Sequence, residues 1–229
     1  MNGKKPAKPG RRELHRFYRL MHEHYGPTGW WPGDSPFEIA VGAILTQNTA
    51  WRNVEQAIEN LKRLNALEPA VLGSLDDAAL WEALRPSGYF RQKAERVRRF
   101  SRWLLEEHGG RMESLAALPL AEARRQLLSL NGIGPETADD ILLYACEFPV
   151  FVIDAYTRRI LARHGMPEAL SMSYEDLRAY VESWLDPNFS LFREYHGLIV
   201  WTGKDFCRRR ARCEGCPLSV LPRDPTQGL

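Results

Sequence analysis

Apolar residues recur along this chain at helical spacing. Val54, Ala57, Ile58, Leu61 and Leu64 fall on one stripe, and so do Leu177, Tyr180, Val181, Trp184 and Leu185. Helix starts are marked independently. Ser35-Pro36-Phe37-Glu38 has the form of a capping box with proline at the first helical position, and Ser173 followed by Asp176 is a weaker version. Pro119 and Pro135 stand where helices should begin, and Gly109-Gly110 and Gly165 where they should stop. The one strand-like run, Pro149 to Ile153, is short and has no pairing partner in the sequence, so it reads as a buried connection. The pattern predicts an all-α protein of about ten helices with short loops.

Length changes the picture only modestly. The 229 residues are about one and a half times the ~150-residue domain prior, enough for one large domain or two lobes. Hydrophobic residues are 44% and charged residues 26%, which excludes a disordered chain, a collagen and a small disulfide scaffold. No apolar run approaches the ~18 residues of a membrane helix. The polar, basic start does not read as a secretory signal. Three of the four cysteines crowd into Cys207–Cys216, a metal-like grouping that suits a reduced, cytoplasmic setting. Net charge is only +2. The basic residues are nevertheless clustered: Lys4, Lys5, Lys8, Arg11 and Arg12; then Arg91, Lys93, Arg96, Arg98, Arg99 and Arg102; then Lys204, Arg208, Arg209, Arg210 and Arg212. Solvated helix faces would account for any one run, whereas three runs suggest a phosphate-facing surface.

Chemistry concentrates in a few short segments. Leu130-Asn131-Gly132-Ile133-Gly134-Pro135-Glu136-Thr137 lies between two helical patterns. Two glycines around an aliphatic residue, followed by a helix start, make a turn whose backbone N–H groups can take a phosphate closely. This segment resembles the helix-hairpin-helix of the endonuclease III superfamily of DNA glycosylases. The resemblance extends to Leu45-Thr46-Gln47-Asn48-Thr49, to Ser87-Gly88-Tyr89-Phe90, to Val152-Ile153-Asp154-Ala155-Tyr156 and to the cysteine-rich tail, over roughly 180 residues in family order. It implies a two-lobed helical fold, with a central domain at 35–146 and a second domain formed by 1–34 plus 147–229. Double-stranded damaged DNA would lie across a cleft with Asp154 at its mouth, and the protein reads as a monomer with no membrane association.

The resemblance also implies roles. A flipped base leaves a hole in the duplex, which Gln47 would fill by hydrogen-bonding the widowed base and Tyr89 by wedging between bases. Gly132, Gly134 and Thr137 would bind the DNA backbone. Asp154 would stabilise positive charge on the sugar and orient water, and it doubles as the natural N-cap of the helix that follows. Glu136 stands where strand-cutting members carry a lysine, and a carboxylate cannot form an imine. Trp30-Trp31-Pro32 precedes a helix start. Two adjacent tryptophans there cannot both easily pack inward, so they read as the wall of an aromatic base pocket, with Trp51 as a second face. Facing indoles suit the cationic ring of an alkylated purine. Together with Glu136, this pattern closely resembles the 3-methyladenine DNA glycosylase III subgroup. Oxidised-pyrimidine or mismatch excision, and a non-catalytic DNA-binding module, remain as alternatives.

The tail leaves alternatives open too. The family's [4Fe–4S] loop carries four cysteines. Here Cys207, Cys213 and Cys216 supply three, the first gap is one residue short, and Pro222 stands at the fourth place. A cluster with an external ligand, a zinc completed by a histidine or Asp224, and a vestigial loop are all compatible with this. No cofactor is expected to be needed for catalysis.

Overall fold

The computed structural model describes residues 7–228. Lys4 and Lys5 of the basic arm lie outside the described residues. These residues form no strand, and no helix among them is long and apolar enough to cross a membrane. Twelve α-helices follow one another among the described residues: α1 (Arg11–Tyr25), α2 (Pro36–Leu45), α3 (Trp51–Arg63), α4 (Pro69–Ser74), α5 (Asp77–Leu84), α6 (Phe90–His108), α7 (Met112–Ala116), α8 (Leu120–Leu128), α9 (Pro135–Asp140), α10 (Ala155–Arg163), α11 (Tyr174–Glu182) and α12 (Phe189–Asp205). A π-helical turn, Ile141–Ala145, continues α9.

The chain divides into two compact units, one comprising residues up to Trp31 and from Pro149 onward, the other Pro32–Phe148. The sequence boundaries of 35 and 146 compare with these limits of 32 and 148.

In the Pro32–Phe148 unit, α2 is the central helix. Its residues from Phe37 to Leu45 are buried apart from Ile39, so it has no solvent face. Ser35 Oγ accepts from Glu38 N at 3.2 Å and starts it. Around it pack α3, α6, α9 and the π turn. The α3 stripe buries Val54, Ala57, Ile58 and Leu61, while Leu64 is 45% exposed. The helix ends at Arg63, so Leu64 has left the helical spacing that would have carried it inward.

In the other unit, α1 and α10 pack on α12. The run Val150–Ile153 is a fully buried connection, with Phe151 meeting Phe192 and Tyr195 edge-on. Along α11 Leu177 and Val181 are buried, as is Leu185 just past its end, but Trp184, also past the end, is 38% exposed. Its ring lies edge-on to Tyr180.

Candidate active site

Asp154 ends the buried connection and caps α10. Oδ1 accepts from Thr157 N at 2.6 Å and from Thr157 Oγ1 at 2.8 Å. This satisfies a first-turn donor and fixes the plane of the carboxylate. Oδ2 lies 3.9 Å from Nε2 of His196 on α12, and the Asp154 side chain keeps 14% exposure. Burial pushes the His196 imidazole below its usual pKa, against the pull of Asp154. The ring is therefore neutral near pH 7, a dipole beside the carboxylate and not a counter-ion.

For Trp30 and Trp31 one premise is corrected: two adjacent tryptophans do both pack inward here, each only 9% exposed, with ring centroids 5.4 Å apart and planes tilted by 49°. Gly197 of α12 makes the room: a Cβ there would lie 2.6 Å from Thr28 Oγ1 and 2.8 Å from Trp30 Cβ. Glu194, one turn earlier, holds the strap that leads to the indoles. It accepts from Thr28 N at 2.7 Å and Thr28 Oγ1 at 3.1 Å, and Trp30 N donates to Thr28 Oγ1 at 3.3 Å. Lys204, further along α12, places Nζ 4.9 Å from the Trp30 ring centroid. One helix thus seats the indole pair and faces Asp154. The sequence reading missed Glu194, His196 and Gly197. The available signal was a pair of glycines, Gly197 and Gly203, inside an apolar helical run, which marks close approach. A Cβ at Gly203 would lie 2.2 Å from the Tyr156 ring.

The remaining candidates belong to the Pro32–Phe148 unit. Ile133 N donates to Leu130 O at 3.0 Å, closing a turn with Gly132 at φ 96° in its third position. That conformation requires glycine. Gly134 caps α9, with open space where its Cβ would be. Glu136 is exposed in the first turn of α9, and Thr137 is buried beside it. Gln47 does not face outward alone. Its Nε2 donates to Gly132 O at 3.0 Å and Thr137 Oγ1 at 2.9 Å, and its Oε1 accepts from the Arg96 guanidinium. The structure thus joins Gln47, Gly132 and Thr137 directly. Tyr89 is 69% exposed and left-handed at φ 47°, immediately before α6. Trp51 opens α3 half-buried, and Pro32 is exposed. Trp51, Pro32 and Glu136 therefore stand on a different unit from Trp30, Trp31 and Asp154.

Several residues of the basic runs have partners within the fold. Lys8 pairs with Glu168 at 3.0 Å, and Arg11 with Asp186 at 3.4 Å. In α6, Arg98 binds Asp77 at 2.7 Å, Arg91 lies over Trp81, and Arg99 donates to Asn131 O. Lys93 is buried and donates to Leu45 O at 2.8 Å and Ser87 O at 2.6 Å. Burial, with some help from Arg96, lowers its pKa to about 8. Lys93 and Arg99 are long enough to reach loop carbonyls, while Arg91, Arg99 and Arg102 stay exposed. Arg209, Arg210 and Arg212 do remain exposed.

The tail does not fit a four-thiolate cluster. Cys207 is buried, and its Sγ accepts from Arg163 at 3.1 Å. The same guanidinium donates to Arg208 O, Arg209 O and Gln227 O, at 2.8 to 2.9 Å. Pro222, at the fourth ligand's place, offers no thiolate, and its carbonyl takes a hydrogen bond from His164 at 3.0 Å. Burial brings His164 down to about 4, so the ring is neutral. The carboxylate of Asp224 is engaged with Thr226 and Gln227. No group of three metal-ligating side chains is assembled among the described residues. Anaerobically purified protein should be colourless, without stoichiometric iron or sulfide. About four irons per chain would show that the loop rearranges around a cluster.

The sequence profile of the HhH-GPD superfamily base excision DNA repair proteins matches residues 41–187. A Methanocaldococcus jannaschii protein, provisionally named DNA repair glycosylase MJ1434, is 39% identical over 90% of this chain and 93% of its own length. Endonuclease III of Thermotoga maritima is 28% identical over 79% of each chain. Among solved structures, the H. pylori 3-methyladenine DNA glycosylase MagIII, bound to 1,N6-ethenoadenine, superposes with a TM-score of 0.70 at 28% identity, covering 85% of this chain and 96% of that one. An endonuclease III–DNA complex shares the fold with a TM-score of 0.76 at 18% identity, covering 96% and 97%. The chain belongs to the HhH-GPD superfamily of base excision DNA repair proteins, the endonuclease III-like DNA glycosylases.

Proposed function

We propose that this glycosylase hydrolyses alkylated purines of the 3-methyladenine type from double-stranded DNA and leaves the strand uncut. The observation that carries the reading is the Trp30–Trp31 pair, seated on the helix that also faces Asp154. Alkylation at a ring nitrogen makes a purine cationic, and an indole face attracts such a ring by ~0.5–2 kcal/mol. The structure of the H. pylori protein, with 1,N6-ethenoadenine bound, supports a purine ligand.

A cationic base is a good leaving group and needs little protonation. The chemical demand is then charge stabilisation at the sugar and a positioned water. Asp154 suits both tasks, because capping holds Oδ1 while Oδ2 faces the neutral His196. Glu136 cannot form a Schiff base, and Lys93 is buried among carbonyls. Imine formation and strand cleavage therefore lack their usual amine.

Base release from methylated genomic DNA, resolved by chromatography beside a thymine-glycol duplex, tests the reading. The expected result is free 3-methyladenine, intact strands and no borohydride-trapped adduct. Cleavage of thymine glycol without methylpurine release would favour oxidised-pyrimidine excision, in line with the relatives named endonuclease III. A trapped adduct would point to Lys204 and overturn the strand-sparing part.

A further inference from the structure

We propose that Glu182 of α11 is a positioning residue for Asp154: by accepting a hydrogen bond from Phe151 N, it holds the buried connection in the register that delivers the carboxylate. The proposal rests on the reading of Asp154 as the group that stabilises positive charge at the sugar.

The connection that ends at Asp154 has buried donors to satisfy. Phe151, Val152 and Ile153 are each 1% exposed, and no strand among the described residues runs beside them. A buried backbone N–H without an acceptor costs about as much as a lost hydrogen bond. Side chains of α11 supply acceptors. Glu182 Oε1 accepts from Phe151 N at 2.8 Å, and the Tyr174 hydroxyl accepts from Ile153 N at the longer distance of 3.4 Å. Tyr174 is the first residue of α11 and Glu182 the last. The two ends of one helix thus clasp the connection, and Asp154 is the next residue after the clasp.

Glu182 is badly placed for its own helix. A carboxylate in the last turn faces the negative end of the macrodipole, and no basic residue stands in that turn. What it holds outside the helix explains its place. Arg178, one turn back, puts Nη1 3.7 Å from the same Oε1 and Nη2 3.1 Å from Glu175 Oε2, which steadies the carboxylate. A backbone N–H bound to a carboxylate makes one of the stronger hydrogen bonds. The Phe151 ring is anchored too, edge-on to Phe192 and Tyr195. Phe151 is therefore fixed at both backbone and ring, just ahead of Asp154.

The cap on α10 and the clasp do different work. Thr157 orients the carboxylate within its own turn. The clasp sets where along the connection that turn begins. Without the clasp, the cap can stay formed while the whole head of α10 shifts, and catalysis is sensitive to displacements of about 1 Å.

The test measures single-turnover base release, duplex binding and thermal melting of the full-length protein. Glu182→Ala should slow release about tenfold and leave duplex affinity unchanged. Glu182→Gln keeps an oxygen at the same reach and should retain most of the rate. Glu182→Asp keeps the charge, draws the oxygen back by one methylene and should be as slow as Glu182→Ala. This pair tests the clasp even if Glu182→Ala fails to fold. In an Asp154→Asn background, Glu182→Ala should cost no further rate, because no carboxylate is left to place. A loss that came only from folding would persist there. Glu182→Asp faster than Glu182→Gln, a loss confined to DNA binding, or an undiminished loss in the Asp154→Asn background would each overturn the proposal. Hydrogen exchange at the Phe151 amide reads the clasp without DNA and should quicken in Glu182→Asp. An unchanged amide would overturn the proposal alone. A wild type that releases no base from methylated or thymine-glycol duplexes would overturn the reading of Asp154, and the proposal with it.

Discussion

Asp154→Asn should lower the rate of base release by about 10²–10³-fold, the range typical for removing one preorganised electrostatic partner of a transition state. It should leave the melting temperature nearly untouched. The structural job of Asp154 is to cap α10 through Oδ1, and asparagine caps a helix about as well as aspartate. What asparagine lacks is the negative charge beside the developing oxocarbenium ion. Asp154→Ala makes the contrast: it should lose activity and, in addition, about 1 kcal/mol of stability with the cap. Single-turnover base release and thermal melts on the three proteins check both. An Asn variant that keeps wild-type release would exclude this role for Asp154, whatever the fold.

Arg163→Met should produce the largest stability loss. The wild-type guanidinium is 2% exposed and ties Cys207 Sγ to the carbonyls of Arg208, Arg209 and Gln227. Methionine fills part of the volume but donates nothing, so several buried acceptors lose their partner. At about 1–3 kcal/mol per unsatisfied group, partly relieved by solvent entering the tail, the net cost should be about 2–4 kcal/mol. Each kcal/mol is worth about 2–4 °C for a chain of this size. Cys207→Ser should cost much less, because a hydroxyl still accepts from Arg163. The reverse order, with Cys207 dominant and chelators lowering the melting temperature, would mean that metal and not arginine organises the tail.

The sequence made the main helices legible because their signals are local. Ser35 with Glu38, Pro135 and Ser173 each act within one turn, and the structure uses them where the pattern put them. The short α4 and α7 escaped, since six and five residues give periodicity too little length to register. Trp184 and Leu64 continue apolar stripes in the sequence, but both stand past the ends of their helices, where the helical spacing no longer holds. The candidate site was legible where a residue's own chemistry announces it, as with Asp154 between an apolar run and a helix. It was not legible where a long side chain reaches across the fold. Arg96, Lys93 and Arg163 look like ordinary surface charge in the sequence, and only their carbonyl partners, from 6 to 64 residues away, reveal otherwise. Glycines carry the opposite lesson, because Gly197 and Gly203 matter for what is absent from them.

Those two glycines have a consequence for length variation. They stand six positions apart on α12, one under the Thr28–Trp30 strap and the other under Tyr156 at the head of α10. Six residues of α-helix span about 9 Å and turn through about 600°. The helix therefore acts as a ruler, setting both the distance and the angular offset between its two seats. A single inserted residue between them would slide one seat by about 1.5 Å and rotate it by about 100°, presenting a bulky neighbour where each partner needs bare backbone. Substitutions on the solvent face of α12 can drift, but an insertion or deletion between 197 and 203 cannot be absorbed, and the segment should hold its length wherever the tryptophan strap is kept.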